Sequence, residues 1–191
     1  MFNGILAGVG KELPPLLPAP PQPSVGKKLL FCGPGRAGKD TALDYLERIT
    51  TLRNAGTFSR YLAPYVAQKL GLPEDVAYAR RHESDEMRMK WFVLGNELRE
   101  KDPAALLRAA LANGELTGGA RNKNEVIAAK AERLVDLVVW IANDRCVIDP
   151  TMEFDSRSCD VVIENHWSLV EFEDRLKRFA RFAGLPLRGV S

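Results

Sequence analysis

LLFCGPGRAGKDT, residues 29–41, is the stretch on which the fold turns. Four apolar residues, Leu29 to Cys32, form a short continuous run with no alternation, the pattern of a buried strand in a parallel sheet. Gly33, Gly35 and Gly38 then break it. From Thr41 to Leu52 the apolar positions Ala42, Tyr45, Leu46 and Ile49 recur at helical spacing, which predicts a helix. Gly33 to Lys39 therefore fits G-x-x-x-x-G-K between a strand and a helix, the setting in which that spacing cradles phosphates. Glycines permit the tight turn that points successive N–H groups inward, and the helix adds the positive end of its dipole. Gly33, Gly35, Arg36, Ala37 and Gly38 would line the phosphates of ATP, with Lys39 reaching its β- and γ-phosphates.

After Gly-Lys, a Ser or Thr usually coordinates Mg²⁺; here Asp40 stands there, followed by Thr41. A carboxylate is a competent hard-oxygen ligand, so Asp40 is the expected metal ligand and Thr41 a donor to the α-phosphate. Capping of the helix by Asp40 is the structural alternative.

Outward from this loop, strand and helix signals alternate. Short apolar runs at 134–142 (LVDLVVWIA) and 159–163 (CDVVI) predict two further buried strands. Residues 115–119 (ELTGG) and 54–58 (NAGTF) are weaker candidates, the second at an edge. Ser168 is placed to cap a last helix with Leu169, Phe172, Leu176, Phe179 and Ala183 as its apolar stripe. The expected fold class is thus α/β: a phosphate-loop, three-layer α/β/α domain at 27–191 built on a parallel sheet. Residues 59–113 read as helical throughout, an insertion with Met87, Trp91, Leu94 and Leu98 on one face and Pro103 opening its last helix. Residues 143–158 would form a short lid-like loop. The segment 13–24 (LPPLLPAPPQPS), half proline, sets 1–26 apart as an extended arm.

The chain has 191 residues, 46% apolar and 27% charged, with a formal net charge of +2. That balance gives no whole-molecule field for nucleic acid or membrane, so neither is expected as a partner. Three scattered cysteines without a CxxC pair argue against a zinc site and fit reduced thiols in the cytoplasm. Neither a spanning segment nor a signal peptide is expected. A homodimer is left open.

A phosphate-transferring site also needs cations around the acceptor. The insertion supplies Arg60, Arg80, Arg81, Arg88, Lys90, Arg99, Lys101 and Arg108. Arg80 and Arg81 together are placed to grip a phosphate by forked hydrogen bonds. Arg121, after the 115–119 strand, falls where ligands bind in open α/β sheets. Phe58, Tyr61, Tyr65 and Trp91 are candidates to stack on a base, with a core role as the competing assignment for Trp91. Asn165, ending the last strand, would frame adenine or form a turn, and Arg145 and Arg157 flank the lid-like loop. His82 and His166 read as structural or solvent-exposed. The third strand holds Gly118-Gly119 where an Asp ordinarily organises Mg²⁺; either Asp40 takes that duty or catalysis is weak.

Several segments together resemble the deoxynucleoside monophosphate kinases of bacteriophages, within the wider nucleoside monophosphate kinase group. They are GPGRAGKDT at 33–41, GTFS at 56–59 and RRHESDEMRMKWFVLGNELREKDPAALLRAAL at 80–111. GARNKNE at 119–125, LVVWI at 137–141 and DPTMEFDSRSCDVVIENHWSLVEF at 149–172 complete the set. The resemblance spans about 28–183 and implies a five-stranded parallel sheet with the helical insertion as the monophosphate-binding region. It implies ATP- and Mg²⁺-dependent phosphorylation of a (deoxy)nucleoside monophosphate in a bacterial host's cytoplasm. Lys39, Arg81 and Arg121 would serve catalysis; Phe58, Ser59, Arg80, Arg81, Arg88, Trp91 and Arg121 would hold the acceptor. Dephospho-coenzyme A kinase has a similar final strand and loop. A kinase of another small acceptor is thus one alternative, and a nucleotide-binding sensor with weak turnover is another.

Overall fold

The computed structural model describes residues 26–146 and 150–189; the expected N-terminal arm and the centre of the lid-like loop lie outside them. Five strands, β1 (Leu29–Cys32), β2 (Asn54–Thr57), β3 (Leu116–Gly118), β4 (Leu137–Ala142) and β5 (Val161–Glu164), form one all-parallel sheet in the order β2-β3-β1-β4-β5. β1 is central and every one of its residues is buried, which explains its unbroken apolar sequence. Its side chains alternate between two cores. Leu30 and Cys32 face one, Leu29 and Phe31 the other.

On the Phe31 face lie α1 (Lys39–Ile49) and α7 (Leu169–Phe182). Leu43 and Leu46 of α1 and Phe172, Leu176 and Phe179 of α7 are buried there, with Phe179 meeting Phe31 edge-on at 6.3 Å. Ser168 caps α7 through a reciprocal box with Glu171, as its position predicts. Two details of the expected stripes differ. Leu169 is 58% exposed because it opens the helix beyond the sheet, and Tyr45 and Ile49 are only half-buried.

The opposite face carries α2 (Phe58–Leu70), α3 (Glu74–Arg80), α4 (Asp85–Lys101), α5 (Ala105–Leu111) and α6 (Lys123–Ala131). The helical block at 59–113 is thus four helices. Its third signal begins at Ala105 rather than at Pro103. Helix α6 escaped the sequence reading because its buried face is narrow, only Glu125, Val126 and Ala129, and one of those is charged. The strand expected from residue 134 starts at Leu137; Asp136 instead accepts the N–H of Lys28 at 2.7 Å.

The connections place a crevice. From β1 the chain passes through α1 on one face to reach β2, whereas β3 leads through α6 on the other face to β4. Connections leaving two adjacent strands in opposite directions open a cleft at their carboxyl ends. Here those strands are β1 and β3.

A buried ion pair closes the α4–α6 side of that cleft. Arg99 Nε meets Glu125 Oε1 at 2.7 Å, with the side chains 7% and 1% exposed. Glu125 Oε2 accepts the backbone N–H of Arg121 at 2.8 Å and of Asn122 at 3.0 Å. Replacing Glu125 by Ala should cost about 3–5 kcal/mol in chemical denaturation, because it leaves Arg99 buried without its counter-charge. A loss below about 1 kcal/mol would show that water relieves the guanidinium instead.

Candidate functional site

The loop after β1 is shaped by backbone constraints. Gly33 sits at φ 136°, where an added Cβ would stand 2.5 Å from the carbonyl oxygen of Ile141. Gly38, at φ 103°, is the residue before α1, and a Cβ there would meet Asn165 Nδ2 at 2.5 Å. No other residue type fits either place without displacement. Arg36 also has positive φ, 64°, and is exposed, while Ala37 is fully buried. Gly35 and Pro34 are half-buried between them.

Lys39 is the first residue of α1 and largely buried. Its ammonium folds back over the loop and donates to the carbonyls of Gly33 at 2.9 Å and Pro34 at 2.6 Å. Asp40 is the second residue of the helix, so it is not the cap; both it and Thr41 are exposed in the first turn. Asn165 holds the loop from the other side, donating Nδ2–H to Ala37 O at 2.8 Å. One N–H of its amide thus braces the loop.

Across the crevice, Gly119 N–H donates to Phe31 O at 3.1 Å. Gly118 packs so closely that a Cβ would lie 2.8 Å from the same oxygen, and Gly119 has φ 101°. These contacts explain the Gly118-Gly119 pair. A carboxylate-bearing residue has no room at the first position and a strained backbone at the second.

Beyond Gly119 opens a cavity lined by Phe58, Ser59, Leu62, Arg81, His82, Arg88, Trp91, Phe92, Arg99, Gly119, Arg121 and Thr151. Six expected acceptor residues, Phe58, Ser59, Arg81, Arg88, Trp91 and Arg121, therefore share one pocket. Arg121 Nη1 donates to Thr151 Oγ1 at 3.3 Å, and Arg81 lies 3.8 Å over the Tyr78 ring.

Arg80 does not join them. It points outward and pairs with Glu83 at 2.5 Å, because α3 ends there and turns adjacent residues to different sides. Tyr61 and Tyr65 are not among the residues that line this cavity; their hydroxyls donate to Ala55 O and to Glu97. Arg157 is exposed and paired with Asp155; Arg145 donates to His166 O.

The sequence reading missed Leu62, His82, Phe92 and Thr151 as lining residues. His82 carries the clearest electrostatic mark. Its imidazole is held below its usual range, first by shielding from water and then by repulsion from Arg81, Arg88, Arg121 and Arg36. Arg36 belongs to the β1 loop and the other three to the cavity, so one positive field covers both.

Among the described residues no cluster of three His, Cys, Asp or Glu side chains is placed to hold a metal. The three cysteines are free, with Cys32 buried. No helix among the described residues is long and apolar enough to cross a membrane. Searches against protein-family models and curated proteins return no match.

An anion bound in the cavity offsets the repulsion at His82, so it should raise the imidazole pKa. By linkage, binding should then tighten as pH falls through the His82 titration. An NMR pH titration of the His82 ring proton, with and without inorganic phosphate, reads this directly. An unmoved titration curve would place the phosphate away from these arginines.

Proposed function

We propose that this protein is a kinase that transfers the γ-phosphoryl group of ATP to a (deoxy)nucleoside monophosphate. The observation that carries this is the adjacency of two different phosphate-competent surfaces. A strand–loop–helix with G-x-x-x-x-G-K follows β1, and an arginine-lined pocket with an apolar wall opens after β3, its immediate neighbour. A triphosphate in the loop would direct its γ-phosphorus toward a monophosphate held by Arg81, Arg88 and Arg121.

In the transfer, an acceptor phosphate oxygen attacks the γ-phosphorus as the bond to the β–γ bridging oxygen breaks and ADP departs. The acceptor is already ionised at neutral pH, so no general base is required. What the residues contribute is position and charge. Lys39 must exchange its contacts with Gly33 and Pro34 for phosphate oxygens, and arginines on both sides offset negative charge at the reacting oxygens.

The residues fit Mg²⁺ in the manner usual for nucleotide complexes, with few protein ligands and the rest from phosphates and water. Asp40 and Thr41, exposed in the first turn of α1, would hold it. When bound it neutralises charge on the triphosphate. With no room for a carboxylate at Gly118, Asp40 stands as the acidic ligand.

The bacteriophage-type kinases named above remain the resemblance that agrees with this arrangement. Coupled ADP-release assays against the four deoxynucleoside monophosphates and dephospho-coenzyme A test the proposal. One nucleoside monophosphate should support rapid turnover, and Lys39→Ala should lower kcat by about 10²–10³-fold. ATP binding with no acceptor-dependent turnover would contradict it.

A further inference from the structure

A residue in the wall of the proposed acceptor pocket carries a hydrogen-bond donor with no partner. Trp91 is 6% exposed, and its Nε1 is the one buried side-chain polar atom among the described residues with no hydrogen-bond partner. Buried donors are nearly always paired, by protein or by water. Here the atom is shut off from solvent, and the Tyr78 ring meets the indole edge-on at 6.5 Å between centroids.

Its surroundings say what is missing. Trp91 stands on α4 in the helical face that includes Met87 and Leu98, so the indole is held in place by core packing. In the cavity it shares the wall with Phe58, Leu62 and Phe92. This wall suits the flat, apolar face of a base. A phosphate in the same pocket would be drawn to Arg81, Arg88 and Arg121, because charged donors are much stronger partners for it than a neutral indole.

Accepting the acceptor-pocket reading above, we propose that Trp91 is a specificity-determining residue whose indole N–H donates to a lone pair on the edge of the acceptor's base. The base enters against Phe58 and Phe92, and a small adjustment of the pocket wall uncovers the N–H to it. Binding then supplies the partner that the free protein lacks. The site therefore rewards a monophosphate that carries a base with an acceptor atom at that edge, and discriminates against an acceptor lacking a base.

The test uses the indole signals of the full chain. Its three tryptophans, Trp91, Trp140 and Trp167, give three ¹⁵N–¹H indole peaks, and Trp91→Phe identifies the relevant one. The tightest-binding deoxynucleoside monophosphate should move the Trp91 indole proton downfield, and 2-deoxyribose 5-phosphate should leave it in place. Trp91→Phe should weaken binding of the nucleotide about tenfold while changing affinity for 2-deoxyribose 5-phosphate by less than about twofold.

Backbone signals of Phe58 and Phe92 that shift while the Trp91 indole stays still would overturn the inference alone. So would an equal indole shift with 2-deoxyribose 5-phosphate, which would mean that the N–H reads the phosphate. Binding of no nucleoside monophosphate to the wild-type chain would instead overturn the kinase reading on which the inference stands.

Discussion

The carbonyl oxygen of Phe31 is the point at which the two halves of the site meet. It accepts the N–H of Gly119 and leaves no space for a side chain at Gly118. Close approach of β1 and β3 at their carboxyl ends follows, and both glycine-rich turns open into one crevice. Because β1 is fully buried between two helical layers, neither turn can shift without disturbing a core. In the proposed kinase, the sheet would thus set where a donor phosphate and an acceptor phosphate meet.

Charge is arranged around that fixed point with support from behind. Glu125 neutralises Arg99 while holding the backbone of Arg121 and Asn122, so one buried carboxylate both offsets a cation and shapes the cavity rim. Arg36, Arg81, Arg88 and Arg121 then bias His82 toward its neutral form. In the proposed kinase, this concentration of positive groups would draw a phosphate to the cavity.

Much of this was legible in the sequence wherever one residue type has one physical use. The run Leu29 to Cys32, the glycines at 33 and 38 and the Ser168 cap each correspond to an element in the structure, and the parallel sheet followed from the alternation of strand and helix signals. Pairings between distant positions were not legible. Nothing local in the sequence says that Glu125 meets Arg99, that Arg80 turns outward while Arg81 turns in, or that Asn165 spends its amide on Ala37. Helix α6 was missed because a charged residue occupies part of its buried face. Gly118-Gly119 read as a defect in an acidic position; in the structure it is a steric requirement of the β1–β3 contact.

In the proposed kinase, loop and cavity form one continuous site. Calorimetric titration with a bisubstrate compound, adenosine joined through five phosphates to the preferred deoxynucleoside, tests it most directly. Since linking two ligands that bind side by side makes the second contact intramolecular, one molecule should bind per chain, about 100-fold or more tighter than ATP or the monophosphate alone. An affinity no greater than that of ATP would contradict the account, because it would mean that the two surfaces do not face a common ligand.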